Sequence, residues 1–349
     1  MKSGVLVLNF GEPEHPVEEE VVPFLERIFY KNARLEHRPT EEERRARSRE
    51  LALERAPGLM EEYRAIGGSP LNRQARDQAT ALESELAHRG HQVQVYSALQ
   101  FTRPLIGEVV AAMRADGVER VIALPVYPLC GHSTTVAALD EVEREMNALG
   151  WNAELIPISG WHRHPLYGAL RADGVRALAQ AQGMDLNSGD DRLLFSAHGT
   201  PLKYLEEGSG YNDYVLDSCA TVARLLEVED YLLGYQNHGN RAIPWTQPDV
   251  EAVVTSIQAR RVLVVPISFM HEQSETLAEL DHELREKAEE VGLEFHRAPV
   301  PHDDPRFSRI LGDLVEPFLD GDTAGDLEWG VCRCRPRGGT RCLNAPHRD

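Results

Sequence analysis

Glu272, Glu275 and Glu279 fall at i, i+3 and i+7 immediately after an apolar, β-branched run from Val262 to Phe269. If helical geometry begins at Glu272, the three carboxylates share one face. Such a ladder at the end of a buried strand can hold a divalent metal ion or pass protons. Open α/β sheets bind their ligands at that end. A solvated helix face has the same composition, and an internal comparison argues against it. Arg120 to Asp140 repeats the pattern 141 residues earlier, with Arg120, Pro125, Thr135 and Asp140 matching Arg261, Pro266, Thr276 and Asp281. The positions matching the three glutamates are Gly131, Thr134 and Ala138. A duplicated unit with acids in one copy alone indicates one specialised half.

A second pairing comes from the first strand of each half. Leu8 to Pro13 overlays Ser196 to Pro201 at an offset of 188 residues, so Phe10 and His198 occupy equivalent strand-end positions. Two lobes that face one another would present a phenyl ring from one side and an imidazole from the other. An imidazole, with an intrinsic pKa of about 6.5, accepts protons at neutral pH.

The elements that must position these residues alternate between strand and helix. Strands are predicted at Gly4–Leu8, Gln92–Leu99, Val118–Tyr127, Ala153–Ser159, Arg192–Ser196, Asp230–Tyr235, Arg261–Phe269 and Leu293–Pro299. Helices are predicted between them, including Thr134–Leu149 and Glu275–Val291, and two charged helical stretches cover Val17 to Tyr63. This order gives an α/β protein of two similar Rossmann-like lobes, each a parallel sheet flanked by helices, with the active-site cleft between them. The expected boundaries are 1–160, 161–320 and a Cys/Arg-rich extension at 321–349. In the loop Ile66 to Arg73, Ser69 or Asn72 is expected to cap the following helix.

Composition narrows the partners. The chain has 349 residues, 42% apolar content and a net charge of −19. That balance argues against nucleic acid or an anionic membrane surface as the main partner. No run of about 18 apolar residues is present, so no transmembrane segment is expected, and none of the N-terminal sequence has a signal-peptide pattern. The expected location is cytoplasmic, with peripheral membrane association left open.

Taken together, these segments resemble the ferrochelatases, which insert ferrous iron into a porphyrin. The most specific match is Leu194 to Pro201 with Glu207, Gly208 and Tyr211; Ile66 to Leu71, Leu232 to Gln236, Pro244–Trp245, Gln247–Pro248, Pro266 to Phe269 and Glu275 to Leu277 extend it. The resemblance covers the chain up to about Asp320 and implies the following expectations. His198 and Glu275 are the catalytic and metal-contacting pair, and Glu272 and Glu279 continue an acidic track. Gln273 stands where the family usually has histidine, and His271 lies nearby as either a replacement ligand or an exposed loop residue. Phe10 stands where relatives carry tyrosine or methionine.

The expected activity is insertion of Fe²⁺ into protoporphyrin IX with release of two pyrrole protons. Coproporphyrin III insertion and non-catalytic porphyrin or haem carriage are the alternatives. Porphyrin and ferrous iron are the partners, and the insertion chemistry itself requires no cofactor. Phe10 and Trp245 are expected as pocket walls, although Trp245 suits a core equally well. Arg27, Lys31 and Arg73 are candidates to meet the propionates. The last 21 residues carry Cys332, Cys334 and Cys342 among five arginines. Some ferrochelatases hold a 2Fe-2S cluster through such an extension, with Cys130 as the fourth ligand here; a zinc site or a tail of free thiols are the competing accounts. Cys219, in an apolar helical pattern, reads as core.

Overall fold

A computed structural model describes all residues except 34–39, 238–242, 321–326, 338 and 345–349. The first lobe contains β1 (Ser3–Asn9), α1 (Glu18–Asn32), α2 (Glu41–Ile66), α3 (Leu71–His88), β2 (Gln94–Leu99), α4 (Ile106–Ala115), β3 (Arg120–Pro125), α5 (Ala137–Ala148) and β4 (Glu154–Pro157). After α6 (Pro165–Ala181), the second contains β5 (Asp191–His198), α7 (Leu202–Glu206), α8 (Tyr211–Leu226), β6 (Tyr231–Gln236), α9 (Val250–Ser256), β7 (Arg261–Pro266), α10 (Arg285–Glu290) and β8 (Glu294–Arg297). The chain continues through α11 (Pro305–Val315) to a short hairpin, β9 (Gly330–Val331) and β10 (Arg341–Cys342).

Both sheets are parallel, with orders β2-β1-β3-β4 and β6-β5-β7-β8. The duplication holds at the level of register. Ser3 pairs with Arg120 in one sheet and Asp191 with Arg261 in the other, at the same two offsets seen in the sequence. Central strands such as Val5 to Leu8 and Val262 to Val265 are buried throughout, as parallel strands covered on both faces must be.

Two expectations about the frame need correction. First, α11 falls within the range assigned to the second lobe, yet Phe307, Ile310, Leu311 and Leu314 pack with Val5, Val7, Leu82, Leu86 and Ile122 of the first. An amphipathic helix goes where its apolar face is covered, and the face of α3 supplies that cover. The extension assigned from residue 321 begins outside the described residues and is seen again from Leu327. Second, the helix after β7 begins at Ser274 and is π-helical from Glu275 to Leu284 before becoming α10. The matching segment of the first lobe, His132–Val136, is also π-helical. The wider i→i+5 turn is a feature of functional sites, and a spacing of threes and fours in sequence does not distinguish it from an α-helix.

The loop joining α2 to α3 is shaped by two glycines in left-handed conformations, Gly67 at φ 76° and Gly68 at φ 91°. A side chain at Gly68 would meet the Glu14 carbonyl oxygen at 2.5 Å, so the loop passes close under the turn that follows β1.

Candidate active site

The C-terminal ends of β5 and β7 bring His198 and Glu275 together. His198 is the last residue of β5, and its N–H donates to Ser268 Oγ at 2.8 Å while its carbonyl accepts from Tyr211 OH at 2.9 Å. With its backbone held on both sides, the ring reaches Glu275, where Nδ1 lies 3.3 Å from Oε1. The other oxygen of Glu275 accepts from Gln273 Nε2 at 3.1 Å. Gln273 therefore supplies an N–H to the carboxylate at the position where histidine was expected. The side-chain amide of Gln236, at the end of β6, donates from Nε2 to the Glu275 main-chain carbonyl at 2.8 Å and to Glu279 Oε2 at 2.9 Å, and its Oε1 accepts from Ser196 Oγ at 2.9 Å. Glu275 and Glu279 thus stay on the cleft side of one helical turn.

Glu272 does not join them. Helical geometry starts two residues after it, and its Oε1 meets Arg297 Nη1 and the Val300 N–H, both at 3.0 Å. The expected three-carboxylate ladder is a pair, because a guanidinium remote in sequence has captured the third acid. His271 is neither a cleft ligand nor exposed. It is buried, with Nε2 2.8 Å from Gln78 Oε1, and burial together with the nearby His302 pushes its pKa down to about 3.

His198 and Glu275 open onto a cavity of about 290 Å³ lined by Phe10, Phe24, Leu25, Ile28, Phe29 and Leu59 of the first lobe, among others, and by Trp245 and Phe269 of the second. Phe10 packs against Phe101 at 4.6 Å and Phe24 at 6.3 Å between ring centroids, and both Phe10 and His198 face this space. Trp245 is held by its bridge to Pro201, with Thr246 N–H donating to the Thr200 carbonyl at 3.0 Å. The cations expected for propionates are elsewhere: Arg27 donates to the Phe101 carbonyl at 2.9 Å, Lys31 pairs with Glu141 at 2.8 Å, and Arg73 is exposed on α3. The cation among the described lining residues is Arg55, paired with Glu62 at 2.6 Å.

Glu12 was missed by sequence reasoning. The turn after β1 reads as a place where something binds, but a single acid between Gly11 and Pro13 looks like surface. It is buried in the cavity wall, where Ser69 Oγ and Ser274 Oγ each donate to it at 2.5 Å. Burial raises its pKa, against the lowering effect of those serines. Ser69 and Asn72 consequently do not cap α3 through their side chains as expected. Ser69 Oγ accepts only a 3.3 Å contact from Leu71 N–H, and Asn72 holds the backbone of Glu12 at 3.0 and 2.7 Å.

A histidine and two carboxylates at the mouth of a large apolar cavity can take protons from a flat hydrophobic ligand and receive a divalent metal. The sequence profile of the family described as Ferrochelatase matches residues 2–318. The chain belongs to the ferrochelatase family. It is a metal chelatase, acting on porphyrin and iron substrates. A ferrochelatase of Synechococcus sp. (strain JA-3-3Ab) is 36% identical over 332 residues, covering 91% of this chain and 94% of that one. A coproporphyrin III ferrochelatase of Mycolicibacterium vanbaalenii is 32% identical, covering 91% and 90%. The fold is also that of two solved structures. CbiX, described as the terminal enzyme for siroheme biosynthesis in denitrifying bacteria, gives a TM-score of 0.53 at 13% identity, covering 90% of this chain and 99% of that one. SirB from Bacillus subtilis with Fe³⁺ gives 0.52 at 10% identity, covering 91% and 96%. Among the described residues, no helix of this ferrochelatase family member is long and apolar enough to cross a membrane.

Three of its four candidate cluster cysteines converge. Cys130 Sγ lies 3.9 Å from Cys332 Sγ, and the sulfurs of Cys130, Cys332 and Cys334 all lie within 4.8 Å of one another. Cys342 is buried in the same hydrophobic cluster, and its sulfur falls outside that group of three. Thiol donation from its three neighbours pulls the Cys332 thiol down, while Cys130 is pushed up. Three grouped, buried thiols with Cys342 buried in the same cluster have the soft donor chemistry that suits a thiophilic metal or an iron–sulfur cluster. The tail docks through Arg335, itself buried, which pairs with Asp140 at 2.8 Å and Glu143 at 2.6 Å. Cys219, on α8, is buried in the same core and is not one of the grouped sulfurs.

Proposed function

We propose that this chain inserts Fe²⁺ into protoporphyrin IX, forming haem and releasing two protons. The observation that carries this reading is the 3.3 Å approach of His198 Nδ1 to Glu275 Oε1 at the edge of an apolar cavity. The free-base ring carries two N–H protons, and both must leave as iron enters. His198 accepts the two pyrrole protons in turn, releasing the first to solvent before taking the second, and Glu275 stabilises the imidazolium across their contact at each step. Glu275 and Glu279 provide oxygen donors for arriving iron as it loses water, with Gln236 fixing their spacing. Phe10 offers no donor atom, so iron approaches from the His198 side. Apolar contacts from Phe10, Phe24 and Trp245 hold the ring and exclude water.

The choice of protoporphyrin IX rests on charge. The described cavity lining includes Glu12, Glu62, Glu275 and Glu279, and its cation Arg55 is already paired. A ring with two carboxylates meets less repulsion there than one with four, and Phe10 in place of tyrosine points the same way. Similarity to a coproporphyrin III ferrochelatase supports the other substrate. Anaerobic single-turnover absorbance with Fe²⁺, run with each porphyrin and with His198→Ala, separates them. Faster loss of free-base bands with protoporphyrin IX, abolished in the variant, is expected. Turnover confined to coproporphyrin III would reassign the substrate, and insertion unchanged in His198→Ala would overturn the mechanism.

The second part of the proposal is that Cys130, Cys332, Cys334 and Cys342 hold a 2Fe-2S cluster. When bound, it would supply one-electron redox capacity and a covalent tie between the tail and the first lobe. The insertion steps above do not pass through it. A cytoplasmic location belongs to the same reading and is tested by fractionation.

A further inference from the structure

The segment that leads into the helix carrying Glu275 is gripped by the opposite lobe. Three of the four residues before Glu275 reach across. His271 Nε2 lies 2.8 Å from Gln78 Oε1, the Glu272 N–H donates to Gln74 Oε1 at 2.9 Å, and Ser274 meets Glu12 twice. Gln74 and Gln78 are one turn apart on α3, so a single helix face holds the first two contacts. The third has a different origin. Ser274 is the N-cap residue of the π-helical segment and makes no side-chain cap of its own. Its N–H donates to Glu12 Oε2 at 3.1 Å and its hydroxyl to Oε1 at 2.5 Å.

A helix start leaves N–H groups without intrahelical partners, and a carboxylate is the best acceptor for them. Here the acceptor comes from the other lobe. Glu12 is itself fixed: Ser69 donates to it at 2.5 Å, and Asn72 both donates to and accepts from its main chain. Gly68 permits the close approach of the loop that carries Ser69. The result is a rigid bracket from the turn after β1, through one carboxylate, to the residue preceding Glu275.

The geometry points to Glu12 as a positioning residue for metal insertion, capping the catalytic helix across the cleft and thereby setting where Glu275 stands relative to His198. This rests on His198 and Glu275 being the reacting pair. Glu12 acts through Ser274, while Gln273 holds the carboxylate itself. Removing the bracket frees the helix start to shift, and a displacement of about 1 Å can cost about 100-fold in rate.

The test uses Glu12→Gln, Glu12→Ala, Ser274→Ala and the Glu12→Ala/Ser274→Ala double variant of the full chain, with His198→Ala alongside. Single-turnover insertion rates and porphyrin dissociation constants from fluorescence quenching are measured for each. The expected result is a fall of at least 10-fold in rate for Glu12→Ala, a smaller fall for Glu12→Gln, and porphyrin binding within about twofold of wild type. Ser274→Ala should lower the rate, and adding it to Glu12→Ala should change little, because both act on one contact. A wild-type rate in Glu12→Gln and Ser274→Ala would overturn the inference even if Glu12→Ala failed to fold. Weakened porphyrin binding at an unchanged rate would also overturn it, making Glu12 part of the substrate wall. If His198→Ala retains insertion, the reading of the reacting pair fails first and separately.

Discussion

Glu275 Oε1 lies 3.3 Å from His198 Nδ1, and Gln273 Nε2 holds the other oxygen of the same carboxylate at 3.1 Å. The two contacts divide the carboxylate between a proton acceptor and a neutral tether. A neutral amide steadies Glu275 without adding a positive charge that would compete with incoming iron.

Gln273→Ala should therefore lower the single-turnover insertion rate by about 10-fold through lost orientation, while leaving porphyrin affinity within about twofold. Gln273→Glu should be worse, because it sets a second carboxylate against Glu275. Equal rates in all three proteins would show that the tether does not orient Glu275.

Glu272 carries a different expectation from its neighbours. Its contacts to Arg297 and the Val300 N–H make it a strut between the catalytic loop and the end of β8. Arg297 keeps Asp281 at 2.6 Å if Glu272 is lost, which limits the damage. Glu272→Gln should cost up to about 1.5–3 kcal/mol of unfolding free energy, the usual range for a hydrogen bond to a charged group. The iron dependence of the rate should not change. Denaturant unfolding and an iron titration check both halves, and a raised iron requirement at full stability would return Glu272 to the acidic track.

The contrast between Glu272 and Glu275 shows where the sequence stops informing. The alternation of strands and helices, both internal offsets and the opposition of Phe10 to His198 were readable because a duplicated parallel unit preserves register. The partners of an acid were not. Arg297 reaches Glu272 over 25 residues, Ser274 reaches Glu12 over 262, and neither separation leaves a periodic trace. The π-helical turn was hidden for a related reason: Glu275 and Glu279 fit either helix in one dimension. For the tail, the sequence named four cysteines, of which Cys130, Cys332 and Cys334 lie together, and burial of Arg335 against Asp140 and Glu143 depends on docking that composition cannot specify.

His271 gives a pH signature. Its folded pKa is pushed down to about 3 by burial and by His302, against about 6.5 in an unfolded chain. Above pH 6.5 both states hold it neutral, so it does not alter the pH dependence there. As pH falls from about 6.5 to 3, the unfolded state binds a proton that the folded state refuses, and stability drops by up to about 1.4 kcal/mol per pH unit. His271→Gln preserves a partner for Gln78 and removes that proton uptake. Its unfolding free energy should fall less steeply between pH 6.5 and 5 than that of wild type, while the two curves run parallel above pH 7. Identical slopes in urea titrations at pH 7, 6 and 5 would mean that His271 is protonated in the folded protein.

The four cysteines should respond as a unit. Cys130 comes from the first lobe, Cys332, Cys334 and Cys342 from the tail, and Gly210 N–H donates to Cys334 Sγ at 3.3 Å from the start of α8. A cluster at this point joins three parts of the chain, so losing one ligand should loosen all of them. Anaerobically purified protein should contain non-haem iron and acid-labile sulfide in equal amounts and absorb in the visible region without added porphyrin. Cys334→Ser or Cys130→Ser should remove that absorption and lower the melting temperature by several degrees. Cys219→Ser, which alters a core thiol outside the group, should retain the absorption. Stoichiometric zinc with no sulfide would convert the site to a structural zinc centre. Metal-free protein with the same melting temperature in Cys334→Ser as in wild type would leave the thiols as packed side chains alone.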